Sequence, residues 1–265
     1  MACPIITLLS DFGSKDPYVA EMKAVILSIS PDAKIVDISH EVEKFDIRAG
    51  AYILACAAPY FPKGTVHVAV VDPGVGTGRQ PIIIQTGAAC YVGPDNGVLA
   101  LAAKNDECLE SIHKITNRNL MLPNVSSTFH GRDVFAPVAA HLANGTSLTQ
   151  FGPEISKIKI PRFASVTEKQ RALVGEVIYI DEFGNIVTNF QEKDIKTMSA
   201  GRTISVRIGN EQHALKLCRT YADVSPHEPL ALIGSHNFLE VSINQGNAAE
   251  AFGTRKGDKV EIRFS

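Results

Sequence analysis

The chain has 265 residues, a formal net charge of −2 and a pI near 6.4. That length can bury one large core or two modest ones. The absence of any Lys/Arg block excludes a protein that works by neutralising nucleic-acid phosphates, and no apolar run approaches the roughly 18 residues needed to cross a bilayer. The start, Met1-Ala-Cys-Pro4, leads straight into a strand without a signal-peptide core, so a cytoplasmic protein is expected. Five cysteines (Cys3, Cys56, Cys90, Cys108 and Cys218) are odd in number and scattered, with no CxxC pair. They read as free, mostly buried thiols of a reducing compartment, not as a disulfide frame or zinc site.

In chain order, Pro4 to Leu9 is a short apolar strand ending in Ser10-Asp11-Phe12-Gly13. Asp16 suits an N-cap with Pro17 at the first helical position, and Val19, Met22, Ile26 and Ile29 make one helical face that Pro31 ends. Lys34 to Ile38 is a strand that exits at Ser39-His40. A helix from about Asp46 to Ala58 buries Ile47, Ala51, Leu54 and Ala58. Thr65 to Val71 is a near-continuous run of β-branched and small apolar residues, the pattern of a strand covered on both faces. Asp72, Pro73 and three glycines then break it before Arg79. The β-α-β-α-β order predicts right-handed crossovers and a mostly parallel sheet, whose strand ends are where such folds bind ligands.

Pro81–Thr86 and Cys90–Gly93 are further strands, Pro94-Asp95-Asn96-Gly97 a turn, and Val98–Ala103 a short helix. Residues 104–128 hold weak strands and a polar loop. Phe129-His130-Gly131-Arg132-Asp133 opens a helix that carries Val134, Val138 and Leu142 inward and stops at Asn144-Gly145. From about Pro161 the pattern changes to closely spaced strands: 175–180, 186–190, 203–208, 213–217, 230–233, 239–243 and 259–264. Gly209-Asn210 suits a two-residue hairpin. Strands without intervening helices predict a small antiparallel β-barrel. The expected organisation is an α/β domain over residues 1–165 and a β-barrel domain over 166–265, divided within the charged, aperiodic stretch Pro161–Ala172.

Some suggestive strings carry little chemistry. Asp11-Phe12-Gly13 lacks the other kinase signatures, and Gly74 to Arg79 lacks the Lys and hydroxyl spacing of a phosphate loop. The eight histidines are spread singly, with no metal-ligand spacing; His67, inside a buried strand, suits a satisfied structural role. His130 differs, because it sits in a tight turn at a helix start, where a lowered pKa favours neutral imidazole. Arg132 and Asp133 suit local ion pairs or a cap. Asp11, Asp72 and Asp181 each fall just beyond a strand end in a Gly-containing loop, and beside Arg79 and His130 they point to a polar pocket. Asp181-Glu-Phe-Gly-Asn185 by itself is equally a hairpin turn.

Taken together, Leu9-Ser-Asp-Phe-Gly13, Val70-Val-Asp-Pro-Gly-Val-Gly-Thr-Gly-Arg79, Gly93-Pro-Asp-Asn-Gly97, Thr128-Phe-His-Gly-Arg132, Ile180-Asp-Glu-Phe-Gly-Asn-Ile-Val-Thr-Asn189 and Asn247-Ala-Ala249 resemble the S-adenosyl-L-methionine hydroxide adenosyltransferases, relatives of the fluorinase and chlorinase enzymes. The stretches occur in the family's order across almost the whole chain. The resemblance implies an N-terminal α/β domain, a C-terminal β-barrel and a homotrimer with sites between neighbouring subunits. It implies that Asp72, Arg79 and His130 form a water-activating triad and that Asp11 holds the ribose hydroxyls. Phe45 would pack near ribose and adenine, with Phe129 also in contact with substrate. Asp181 would face the methionine ammonium, Phe183, Asn185 and Ala248 would line the adenine pocket, and Ser235 would meet the methionine carboxylate. At the next position, His236 departs from the fluorinase's Arg.

The implied reaction converts S-adenosylmethionine and water to adenosine and L-methionine, with no metal, cofactor, nucleic acid or membrane. Hydroxide attack on the 5′ carbon of a sulfonium expels a neutral thioether, so the leaving group needs no acid. A site poor in water strengthens the attraction between the two charges. The fluorinase carries tyrosines at the positions of Asp72 and His130 and a long insertion after the Gly-rich loop, whereas here Arg79 leads directly into a strand. Water is therefore favoured over halide. A 5′-halo-5′-deoxyadenosine synthase and a non-catalytic regulator that binds adenosine or S-adenosylmethionine are the rivals.

Overall fold

A computed structural model describes residues 3–106, 108–169, 172–195, 201–209 and 211–263. The chain divides into two compact units, residues 1–161 and 162–265. The first is a six-stranded sheet in the order β2-β1-β3-β5-β4-β6. Its strands are β1 (Ile5–Ser10), β2 (Lys34–Ser39), β3 (Thr65–Val70), β4 (Pro81–Thr86), β5 (Ala89–Pro94) and β6 (Leu109–Lys114). The pairs β1–β2, β1–β3 and β3–β5 are parallel, while β4 runs antiparallel to both β5 and β6. All six residues of β3 are buried, because helices cover both faces of the sheet there.

The helices are α1 (Tyr18–Ile29), α2 (Ile47–Ala57), α3 (Ala100–Asn105) and α4 (Ala136–Ala143); α1 packs with α4, and α2 with α3. Ile6, Leu8, Val66, Val68 and Val70 share a core with Met22 and Ile26 of α1 and with Val138 to Ala140 of α4. The alternate residues of β1 and β3 face α2, where a side chain at Gly50 would strike Val71 and Val98. Asp46 caps α2 by accepting from Ala49 N at 2.9 Å. Helix α1 begins later than its sequence indicates: Pro17 is at its N-cap, and no side chain caps it. The cysteines, none in a disulfide, also depart from expectation, since Cys3 and Cys108 are exposed, Cys56 and Cys90 half-buried, and only Cys218 buried.

His67 lies in the middle of β3 with its Nδ1 2.8 Å from Thr7 Oγ1 and its ring stacked on Tyr91 at 5.2 Å. Burial pushes its pKa down from 6.5 to about 4. The unfolded chain therefore binds a proton at His67 that the native state refuses, so stability must fall as pH drops from about 6.5 towards 4. At the acid end the cost reaches about 3 kcal/mol. Urea unfolding of wild type and His67→Gln at about pH 7 and pH 4.5 measures it, and equal acid losses in the two proteins would reject this source.

The second unit is built from β7 (Thr167–Lys169), β8 (Ala172–Ile180), β9 (Ile186–Gln191), β10 (Thr203–Ile208), β11 (Glu211–Cys218), β12 (Pro229–Ile233), β13 (Phe238–Ile243) and β14 (Lys259–Arg263). Pairing of β14 with β8 closes seven of them into a barrel, with β7 outside the ring against β8. The barrel is not wholly antiparallel. Residues 219–228 travel back along the barrel through a short turn at Tyr221–Asp223, so β12 enters parallel to β11. Strands β10 and β11 pair antiparallel across the expected hairpin, but Asn210 of that turn, like Phe264, lies outside the described residues. A short helix, α5 (Ala248–Ala251), buries Ala248 in the barrel core, where Leu239 and Val241 also point. Among the described residues no helix is long and apolar enough to cross a membrane.

Candidate functional site

The loop after β3 folds back on itself and so brings a cation to the carboxylate that begins it. Backbone bonds from Val75 N to Asp72 O (3.2 Å) and from Thr77 N to Gly74 O (3.1 Å) form successive turns. Gly76 has φ +75°, and a Cβ there would lie 2.4 Å from Ser127 O, so only glycine fits this crossing. Arg79 then reaches Asp72: its Nε lies 3.1 Å from Oδ1 and 2.9 Å from Oδ2, and its Nη2 also donates to Oδ2. The same Nη2 is 2.7 Å from His130 Nδ1. The side chains of Arg79 and Asp72 are only 9% and 5% exposed, so this is a desolvated pair. The guanidinium also lies over the Phe135 ring at 5.3 Å.

The three groups form a directional array. A guanidinium only donates, so His130 Nδ1 accepts, and the proton of the neutral ring resides on Nε2. Burial, together with the Arg79 charge, holds the His130 pKa below its usual value. The neutral state matches the sequence expectation, but its causes are burial and Arg79. His130 is placed by an unforeseen element: residues Gly131–Phe135 form a π-helical turn that runs into α4. Buried Asp133 fixes that turn by accepting from Ser126 N at 2.7 Å and pairing with Arg132 at 2.7 Å. Arg132 also meets Glu21 of α1 at 2.7 Å, which ties the turn to that helix.

A cavity of about 250 Å³ opens at this end of the sheet, lined by Asp11, Tyr18, Phe45, Asp72, Phe129 and His130 among others. Asp72 and His130 face it, and Arg79 bridges the two. The rings of Phe12, Tyr18 and Phe129 form an aromatic wall with centroids 5.1 to 5.7 Å apart. Asp11 is buried; its Oδ2 accepts from Phe45 N at 2.8 Å, and Lys44 Nζ donates to its backbone carbonyl. Phe45 has φ +66° and is 68% exposed, so its ring is presented instead of packed. Asp16 lines the same cavity.

The other expected residues belong to the barrel unit. Asp181 organises the β8–β9 turn: Oδ1 accepts from Phe183 N (3.0 Å) and Asn185 N (2.8 Å), and Oδ2 accepts from Asn185 Nδ2 (2.8 Å). The turn rests on the start of α5. Ala249 N donates to Gly184 O at 2.9 Å, and Gly184, at φ +80°, lies so close to Asn247 that a Cβ would meet Oδ1 at 2.1 Å. Asp181, Phe183, Asn185 and Ala248 are thus gathered in one place, with Phe183 78% exposed. Ser235 sits on the β12–β13 turn, its Oγ 3.4 Å from His236 Nδ1.

Sequence reasoning missed Glu240 and Tyr221. Tyr221 OH donates to Glu240 Oε2 at 3.0 Å; burial raises both pKa values, and the Asp181 charge adds to the effect. Their only signal was a carboxylate in an apolar strand, since the Tyr221 partner arrives from the long β11–β12 connection. Among the described residues, no group of three or more His, Cys, Asp or Glu is placed to hold a metal ion.

The family model described as the SAM hydroxide adenosyltransferase N-terminal domain matches residues 6–152, and that of the C-terminal domain matches residues 175–261. The chain belongs to the SAM hydroxide adenosyltransferase family. Within this family it is 40% identical to the (R)-S-adenosyl-L-methionine hydrolase of Methanocaldococcus jannaschii, over 98% of this chain and 96% of that one. It is 39% identical to the protein of the same name from Thermus thermophilus, over 97% and 98%. A fluorinase of Nocardia brasiliensis is more distant at 28% identity, over 98% and 97%. Among solved structures, an uncharacterized conserved protein from Thermotoga maritima superposes with a TM-score of 0.87 at 38% identity, covering 98% of this chain and 100% of that one.

Proposed function

We propose that this chain hydrolyses S-adenosyl-L-methionine, in the (R)-sulfonium form named for its relatives, to adenosine and L-methionine. The observation that carries the reading is the Asp72–Arg79–His130 array at the wall of an aromatic-lined cavity. A water there donates one hydrogen to Asp72 Oδ1, the less loaded oxygen of that carboxylate, and its oxygen accepts from His130 Nε2–H. This binds the water with a lone pair directed at the substrate. The C5′–O bond forms as the C5′–S bond breaks, sulfur leaves as a neutral thioether with the bonding pair, and the water's proton passes to Asp72. Aromatic faces suit the sulfonium and the nucleoside, and Asp11 suits the ribose diol.

Phe45 and Phe129 are assigned to the nucleoside as well. Phe183, Asn185 and Ala248 are assigned to adenine, and Asp181 and Ser235 to the methionine end. With these residues divided between the two units, we also propose a homotrimer in which one site uses residues of neighbouring subunits. Five cysteines with no disulfide among them support a cytoplasmic setting.

In ¹⁸O-water the label is expected in the adenosine 5′-hydroxyl, with inversion at a chirally deuterated C5′. Formation of 5′-chloro-5′-deoxyadenosine in chloride buffer would favour the halide-using rival. Unlabelled adenosine, or no product from either sulfonium epimer, would reject the hydrolase.

A further inference from the structure

We propose that His40 is a positioning residue for the nucleoside end of the site, acting through Ser10 on the loop that carries Asp11. The inference rests on the reading of Asp11 as a nucleoside contact. Ser10, the last residue of β1, is 1% exposed, and its Oγ lies 2.7 Å from His40 Nδ1. On the other side of the ring, His40 Nε2 lies 3.1 Å from Asp37 Oδ1, and Asp37 is paired with Lys23 at 2.5 Å. No hydrogen bond of good geometry reaches Nε2 among the described residues, but the Asp37 charge beside it favours the proton on Nε2, which leaves Nδ1 as an acceptor. The Ser10 hydroxyl must then donate to Nδ1, which turns its lone pairs towards Phe12 N, 3.3 Å away. The main chain closes the arrangement, because Gly13 N donates to His40 O at 2.7 Å.

His40 therefore holds both ends of the four-residue turn from Ser10 to Gly13, one through its ring and the other through its carbonyl. Two features of the cavity depend on that turn. The Asp11 carboxylate receives Phe45 N from the loop that His40 begins, and the Phe12 ring packs edge-on against Phe129 at 5.5 Å. A hydrolytic Ser-His-Asp triad is a poorer account of the same three residues. Ser10 is buried away from solvent, and neither it nor His40 lines the cavity. The hydroxyl is bound as a strut.

The test compares His40→Ala, His40→Asn and Ser10→Ala by steady-state kinetics and adenosine calorimetry. Loss of the strut in His40→Ala is expected to raise KM and the adenosine Kd about tenfold, with kcat changed less than about threefold. The Asn side-chain oxygen can occupy the Nδ1 position, so His40→Asn should return both constants to within about threefold of wild type. Ser10→Ala should reproduce the His40→Ala loss, and it carries the test if His40→Ala fails to fold. Tight adenosine binding by His40→Ala or Ser10→Ala, or a fall in kcat without a rise in KM, would overturn the proposal. A lack of rescue by Asn in a folded protein would do the same. Wild type that binds no adenosine would remove the reading of the Asp11 site and this proposal with it, whereas binding equal in wild type and variant removes the proposal alone.

Discussion

Arg79→Met is expected to lose about 10²–10³ in kcat, the scale of one preorganised electrostatic donor. Among the described residues Arg79 is the only group bonded to both Asp72 and His130, so its removal acts in three ways. His130 Nδ1 loses its donor, and the ring is free to take the other tautomer, which turns a lone pair in place of Nε2–H towards the water. Asp72 loses the fork that fixes its carboxylate plane. The site also loses the positive charge that favours hydroxide. Arg79→Lys should recover only part of the rate, because one ammonium cannot reproduce the planar two-sided donation. Stability should fall as well, by about 3 kcal/mol, since a carboxylate 5% exposed is left without its cation. Single-turnover assays on variants shown by unfolding to remain native separate the two effects. Product formation within tenfold of wild type would show that the array does not activate the nucleophile.

The parts of this site that were legible in the sequence are those whose partners lie close in the chain. Asp72 and Arg79 belong to one loop, and its glycines and proline declare that the backbone turns back there. The buried β3 declares that the loop leaves a central strand. His130 stood out for its setting, but its contact with Arg79 spans 51 residues and follows from the sheet's packing alone. The π-helical turn that aims it was invisible, because one extra residue per turn changes hydrogen bonding without changing composition.

Ser10 and His40 were hidden for the same reason. They are ordinary residues at two strand ends, and they meet only because β1 and β2 are parallel neighbours whose carboxyl ends coincide. In the barrel, alternation marks strands but not their partners. The parallel pairing of β11 with β12 therefore could not be read, since it depends on the path of residues 219–228 and not on any local pattern. The expectation of an Asp16 cap gave too much to residue type: an Asp before a proline has the chemistry of a cap, yet the helix begins beyond it.

The widest consequence of the proposed trimer is that two inactive proteins should make an active one. Asp72→Ala removes the carboxylate in the first unit, and Asn185→Ala removes a side chain 7% exposed in the barrel unit. Each homotrimer should be inactive or nearly so. In a ring closed by rotation, each subunit offers its first unit to one neighbour's barrel, so every site draws on two chains. After exchange at equal amounts, about a quarter of the sites would pair an intact first unit with an intact barrel, given random assembly around the ring. Activity should therefore rise from the background to about a quarter of wild type, and it should depend on the mixing ratio with a maximum at equality. Asn185→Ala must be checked separately for folding, because its amide also bonds the Asp181 carboxylate at 2.8 Å. Asn185→Asp serves as a second barrel variant: it keeps the size but sets two carboxylates against each other. Native mass spectrometry of isotopically distinguished subunits establishes that exchange has taken place. Proven exchange without recovered activity would place each complete site within a single chain, and full wild-type activity from a monomeric species would end the trimer proposal.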